Sequence, residues 1–453
     1  MHLRARPVRL GIFALVVTRI YLNYKIPQVL GRLGLYRDTP ARMSRRHRRN
    51  AELLYRLATF LQGLMIKPCQ FISSRADLVP DEYIEVLSRL QDKVPPRPYH
   101  VIASQIAREL GAPPEELFAA FERQPIAAAS LAQVHRARTK DGRDVAVKVQ
   151  YPGIEAIARA DLKNMALLAG LLARIEPHWD FRVIVRELER MMPLELDFIN
   201  EGRNAERVAR ELSVRPEFVV PGILWDLTSR RVLTMEYIDG IKVTDVAAMR
   251  AAGIDPKQVA QLLTEAYCEM LLINGFFHAD PHPGNLLVLP GPKLAFVDFG
   301  LSKGFPPPFL RAFVRLTRAI LVNDEQATVQ AFRDLGFRTK SDDPKTLLAL
   351  GDAFLGRAIR EKRTYADPDM ASEVNAMLAR VLKENPVVEV PGDIVLVGRV
   401  TGLVAGLSKT LGSEVDLLAT MMPYVARRAM TPDGQARMRA AYLADGAQTP
   451  AGD

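Results

Sequence analysis

Residues His278 to Asn285 read HADPHPGN, and a second acidic motif, VDFG, begins at Val297, twelve residues after Asn285. This pair of motifs narrows the fold more than any other feature of the chain. It supplies an aspartate, an asparagine five positions on, and a further aspartate. These are oxygen donors of the kind that hold a divalent cation against phosphate groups. Between the motifs, Leu286-Leu287-Val288-Leu289, a Pro290-Gly291 turn and Leu294-Ala295-Phe296-Val297 predict a short hairpin with Asp298 at its exit. Such a hairpin would bring Asn285 and Asp298 to one metal. Ahead of it, Gln258 to Ile273 carries apolar residues at Leu262, Leu263, Ala266, Met270 and Ile273, the spacing of a helix. Gly275 is placed to end that helix as a left-handed cap.

A matching lysine lies upstream. Asp144 to Gln150 reads DVAVKVQ and alternates as a strand, with Lys148 on one face. The turn Lys140-Asp141-Gly142-Arg143 pairs it with Ala132 to Thr139 as a hairpin. A lysine on such a strand is the part that holds a nucleotide's inner phosphates in kinases, which carry an Asp…Asn…DFG set downstream. In kinases a glycine-rich phosphate loop precedes that strand. Here Pro125-Ile126-Ala127-Ala128-Ala129-Ser130 stands in its place. Three methyl groups narrow the backbone's access to positive φ, so this segment should meet phosphates differently from a glycine loop.

The chain resembles the UbiB-type (AarF/ADCK) atypical kinase-like proteins, a family linked to isoprenoid-quinone biosynthesis and lipid homeostasis. The matching pieces, in order, are AAAS at 127–130, VAVK at 145–148, ELDFINEGRN at 195–204, TMEYIDG at 234–240, HADPHPGN and VDFG. They fall within roughly residues 60 to 410. The resemblance implies an α+β, bilobal protein kinase-like fold that binds ATP and Mg2+. Lys148 would contact the phosphates and pair with Glu201, Asp280 would take the catalytic aspartate position, and Asn285 and Asp298 would ligate magnesium. Ala127, Ala128, Ala129 and Ser130 would line the nucleotide, and Glu236 and Tyr237 would form the hinge that meets adenine. Glu195 and Asp197 match the family's acidic ExD pair. The family's KxGQ motif corresponds to Lys67-Pro68-Cys69-Gln70, with Lys67 and Gln70 in a regulatory role over the site. Cys69 departs from the family glycine. If that position needs a positive φ, cysteine costs about 1–2 kcal/mol there; otherwise it is a packed thiol.

At 453 residues the chain can bury two or three cores, and two cysteines are too few for a disulfide framework. This points to a reducing, cytoplasmic setting. The net charge of +9 has a visible source at the N-terminus, where Arg4, Arg6 and Arg9 precede an apolar run from Leu10 to Val17. That run lacks a cleavage site and falls short of the roughly 20 residues that span a bilayer. It reads as an amphipathic helix that either packs on the kinase lobe or lies on an anionic membrane surface, at the inner membrane face. Arg45, Arg46, Arg48 and Arg49 cluster without interleaved aromatics, so nucleic acid is not an expected partner. Gly398, Gly402 and Gly406 share one helix face and are expected to allow close helix packing in a segment interrupted by Arg399.

The expected organisation is an N-terminal helical extension over 1–115, an N-lobe over 116–236 with one long helix from Phe181 to Leu212, and a C-lobe over 237–345. A C-terminal helical appendix over 346–430 and a disordered tail over 431–453 complete it. The activity this implies is that of an atypical kinase or ATPase, with a small-molecule or lipid-like acceptor and quinone-biosynthesis proteins as partners. A nucleotide-responsive scaffold without turnover and a protein kinase are the competing readings. An antibiotic phosphotransferase shares the catalytic-loop layout but does not account for AAAS or the Lys67–Gln70 extension.

Overall fold

The alternation that ends in Lys148 builds the middle of a sheet. The structure, a computed structural model, describes residues 6–61, 65, 66, 68, 69, 79–91, 96–176, 181–341, 343–356, 373, 377, 380, 381, 384–413, 415 and 417–429. The chain divides into two units, one of residues 1–202 with 222–237 and the other of residues 203–221 with 238–453.

In the first unit, strands Ala132–Thr139 and Asp144–Gln150 pair antiparallel, with Val134 opposite Lys148. Phe118–Phe121 and Val232–Glu236 extend the sheet on either side, and Ala127–Ala128 adds to the Ala132–Thr139 strand. Val145, Val147 and Val149 are fully buried in the main core with Ile102, Ile106 and Leu162. The opposite face, carrying Ala146 and Lys148, meets a smaller cluster of Ala132, Phe198, Leu233 and Met235. Alternation at period two gives each face a different environment.

The N-terminal apolar run lies in a helix over Arg6–Arg32, from which Ile12, Phe13 and Val16 pack on the main core. Arg9 is buried. Its Nε donates to Asp161 Oδ1 at 2.7 Å, Nη2 to Oδ2 at 2.5 Å and Nη1 to the Leu61 carbonyl at 2.8 Å. Asp161 sits on helix Ile154–Ile175, and only 4 % and 2 % of the two side chains are exposed. Burial raises the Asp161 carboxyl above its ordinary pKa against the pull of Arg9. One of the three arginines read as flanking the run is therefore a structural anchor.

The single helix expected over 181–212 is two helices, Arg182–Glu195 and Phe198–Leu212. Asp197 makes the break. Its Oδ1 accepts from the Ile199 and Asn200 amides at 3.1 and 3.2 Å, an N-cap that starts a new helix. Residues 203–221 belong to the second unit, where Phe218–Val219 pairs in parallel with Leu294–Ala295.

In that second unit, Asp255 caps helix Pro256–Cys268 and Pro256 opens it. The helix continues as a π-turn through Asn274, where Gly275, at φ 64°, ends it. A Cβ at Gly275 would also strike Leu310, so glycine is required there twice over. The hairpin of Leu286–Leu289 and Lys293–Phe296 follows, flanked by Phe218–Val219 and Ile241–Lys242. Phe276–His278 pairs with Ser302–Gly304.

Among the described residues the expected close packing at the appendix glycines is not found: a Cβ at Gly398, Gly402 or Gly406 would meet none of them within 4 Å. Gly398 and Gly402 instead line a mainly apolar cavity of about 340 Å³ with Tyr267, Leu271 and Val404. Among the described residues, no helix is long and apolar enough to cross a membrane. Cys69 is buried beside Ile66, Tyr83 and Leu87, and the only positive φ at a non-glycine among the described residues is that of Asn323. The conditional strain at Cys69 does not arise.

Candidate active site

In the first unit, the Lys148 strand and the helix starting at Phe198 bring two opposite charges together. Lys148 Nζ donates to Glu201 Oε1 at 2.6 Å, with 12 % of the lysine and 2 % of the glutamate side chain exposed. The Phe198 ring lies 5.3 Å from the ammonium and adds a cation–π contact. The Asp197 cap sets where this helix begins, and hence where Glu201 points. Its main-chain carbonyl also accepts the Glu201 amide at 3.1 Å. Gly202, next along, allows a close approach, since a Cβ there would fall 2.8 Å from the Trp225 ring. Glu195 ends the preceding helix, half-buried. Lys67 and Gln70 lie outside the described residues, and so does the expected approach of Lys67 to the acidic pair.

The alanine segment is more ordered than a phosphate loop. The Ile126 amide donates to the Val134 carbonyl and the Ala129 amide to the Ala132 carbonyl, each at 2.8 Å. Ala127 and Ala128 form strand, and Ser130 is buried. At the hinge positions, the Tyr237 amide donates to the Asp144 carbonyl at 3.0 Å, and Arg136 stacks 4.4 Å from the Tyr237 ring centre. The Glu236 carboxylate is turned away to accept the Gly222 amide at 2.9 Å. Any nucleotide contact at Glu236 therefore falls to its main chain.

In the second unit, Asp280, Asn285 and Asp298 are drawn together by their own backbone. The Val297 amide donates to the Asn285 carbonyl at 3.1 Å, tying the loop to the strand end that carries Asp298. Asn285 Nδ2 donates to the Asp280 carbonyl at 3.1 Å and lies 3.4 Å from Asp280 Oδ2. An amide that directs its NH2 group to Asp280 turns its oxygen to the other side, the polarity a hard cation requires. Asp298 Oδ1 accepts the Gly300 amide at 3.1 Å. Among the described residues no group of three or more His, Cys, Asp or Glu side chains assembles into a metal cage. The donors present are one asparagine oxygen and the carboxylate of Asp298, a set that can serve a hard cation only together with oxygens from a bound substrate.

Other side chains hold these three residues in place, and His278, a loop brace rather than a ligand by its place in the motif, is the first. His278, fully buried, bridges the Tyr267 hydroxyl at 3.1 Å and the Asp298 carbonyl, with its ring against Phe296 and Phe299. Burial lowers its pKa against the upward pull of Asp280 and Asp298, so the ring serves as a neutral brace. His282 Nδ1 accepts the Gly284 amide and shapes the turn before Asn285. Asn204 Nδ2 donates to the Phe299 carbonyl at 3.2 Å, holding the DFG segment. Arg399, from helix Gly392–Thr410, donates to Asp280 Oδ1 at 2.9 Å. A lone arginine in an apolar run was the available signal for that contact, because a charge there is rarely buried unpaired.

The description of the ABC1 atypical kinase-like domain matches residues 89–332. AarF domain-containing kinase 1 of Drosophila melanogaster is 39 % identical over 338 residues, covering 73 % of this chain and 65 % of the relative. The uncharacterised protein sll1770 of Synechocystis is 32 % identical over 92 % of this chain and 71 % of its own length. The chain spans 54–65 % of the length of four animal relatives it matches. A solved complex of Rv3197 with erythromycin, from Mycobacterium tuberculosis, shares the fold at a TM-score of 0.58 and 24 % identity, covering 82 % of this chain and 95 % of that one. The chain thus has a kinase-like fold and belongs to the ABC1 atypical kinase-like family, the AarF/UbiB group.

Proposed function

We propose that this chain binds ATP with magnesium and cleaves or transfers the terminal phosphoryl group, to water or to a small lipid-like acceptor. The observation that carries the reading is the Asp280–Asn285–Asp298 arrangement. One carboxylate is tied to the asparagine's NH2 group, the asparagine oxygen is left for a cation, and a second carboxylate stands at the hairpin exit. A degraded, non-catalytic relative has no need to keep this polarity together with a buried Lys148–Glu201 pair. Lys148 would hold the inner phosphates, with Glu201 fixing its direction. Asn285 and Asp298 would hold magnesium, which when bound neutralises charge on the phosphate oxygens. Asp280 would orient the attacking oxygen and take its proton. The hydrogen-bonded alanine segment favours water or a small acceptor over a bulky protein, because it is already closed into strand. A place in isoprenoid-quinone biosynthesis or lipid homeostasis, beside quinone-biosynthesis proteins and at an anionic membrane face, belongs to the same proposal.

The test is calorimetric binding of ATP with and without magnesium, alongside ATP hydrolysis. Asp298→Asn should weaken the magnesium-dependent part of binding severely, because the carboxylate is the site's main anionic ligand. Unchanged magnesium-dependent affinity in that variant would remove Asp298 from the metal site. Binding without hydrolysis, under all conditions including anionic vesicles, would favour a scaffold that responds to nucleotide.

A further inference from the structure

The loop from Phe276 to Asn285 contains no lysine or arginine. A cation for Asp280 must therefore come from elsewhere in the chain, and the structure brings it from 119 residues away. Arg399 Nη2 donates to Asp280 Oδ1 at 2.9 Å, while Asn285 Nδ2 faces Oδ2. The carboxylate is thus held at both oxygens, with 18 % of the arginine and 28 % of the aspartate side chain exposed.

The delivery is rigid. Helix Gly392–Thr410 buries Val397 and Val400 completely on either side of Arg399. Its first turn is pinned by an ion pair between Lys303 and Asp393. Arg399 Nε, by contrast, is buried and has no hydrogen-bond partner among the described residues. An arginine placed only to stabilise the fold would satisfy its own donors, because a buried unpaired donor is costly. This one leaves Nε unmet and reaches a carboxylate of the reaction centre. Arg399 also lies outside residues 89–332, the segment that the family description covers.

We infer that Arg399 is a positioning residue for Asp280, which makes helix Gly392–Thr410 part of the phosphoryl-transfer centre. The inference rests on the ATP turnover proposed above. In that reaction the attacking oxygen bonds to the terminal phosphorus as the bridging P–O bond breaks. ADP leaves with the electron pair, and the attacking oxygen's proton passes to Asp280 and then to water. Arg399 fixes the carboxylate so that it faces that proton, and its charge keeps the carboxylate from turning onto neighbouring amides.

The experiment uses the full chain and the variants Arg399→Met, Arg399→Lys and Asp280→Asn. Arg399→Met should lower kcat by about 100-fold, the scale of loss for a misplaced catalytic group, with KM and calorimetric ATP affinity nearly unchanged. Arg399→Lys should recover part of the loss. Added to Asp280→Asn, Arg399→Met should cost little more, since both changes remove one interaction. Wild-type kcat in Arg399→Met, or full additivity with Asp280→Asn, overturns the role. If the wild-type chain turns over no ATP, the proposed function fails by itself. The positioning role is then decided by amide hydrogen exchange in residues 276–285, which should quicken in Arg399→Met, or in Arg399→Lys to a lesser degree. Unchanged exchange there overturns it.

Discussion

Asp161→Ala should destabilise the first unit severely although it touches neither nucleotide nor metal. The change strands Arg9, whose guanidinium has two bonds to Asp161 and one to the Leu61 carbonyl and is 4 % exposed. Removing one partner of a buried pair costs about 3–5 kcal/mol, because the other charge stays buried without compensation. At roughly 2–4 °C per kcal/mol for a unit of this size, the melting temperature should fall by about 6–20 °C. That loss is large against a typical total of about 5–15 kcal/mol.

The assay is thermal unfolding followed by circular dichroism, with urea titration for the free energy. Replacing both partners, Arg9→Met with Asp161→Leu, should restore most of the loss, since an apolar pair of similar volume is often neutral or better. The raised carboxyl pKa of Asp161 points the same way, because desolvation outweighs the attraction of Arg9. A shift below about 2 °C for Asp161→Ala would refute the reasoning, as it would show that the pair is solvated in solution. Deleting residues 1–20 removes Arg9 together with Ile12, Phe13 and Val16, so that truncation should unfold the unit rather than merely expose it.

Burial pushes the thiols of Cys69 and Cys268 up to about 12. Both should therefore resist a disulfide reagent at pH 8 until urea unfolds the chain, and rapid labelling of the native protein would contradict this. Unfolded thiols ionise near pH 8.5, so this contribution to stability should decline as pH rises from there towards 12. Ala129→Gly should loosen the segment that bonds to Ala132 and change the preference between ATP and ADP; identical affinities would make the alanines simple packing. Leu15→Glu with Leu22→Glu should weaken co-sedimentation with anionic vesicles by about 10-fold or more while leaving the melting temperature unchanged. Equal sedimentation of variant and wild type would end the membrane proposal for this face.

Short-range features were legible in the sequence. The Ala132–Thr139 and Asp144–Gln150 strands, the Gly275 cap and the Leu286–Phe296 hairpin follow from alternation and turn residues, whose causes lie within a few positions. What was not legible depends on a distant partner. The break at Asp197 looks like continuous helix until its side chain is seen to accept two amides. Residues 203–221 leave the first unit because a two-residue strand finds a parallel neighbour at Leu294–Ala295. The glycines of the appendix carry the spacing of a packing face, yet spacing cannot tell a packed face from one that no described residue covers.

The N-terminal helix shows how the same limit alters a functional argument. Counted along the sequence, three arginines beside an eight-residue apolar run read as a basic anchor. In space Arg9 is withdrawn into the unit, and Ile12, Phe13 and Val16 of the run are turned inward with it. What remains outside is a different set: Val8, Leu15, Leu22, Ile26 and Val29 are all exposed on one helix. Their spacings of seven, four and three place them within one narrow stripe along the helix Arg6–Arg32. The proposed membrane contact would then rest on an apolar stripe facing solvent, with Arg19 and Arg32 beside it, rather than on a charge cluster before it. Its strength should depend more on Leu15 and Leu22 than on salt. Vesicle binding abolished by salt alone, with both leucines intact, would return the argument to the arginines.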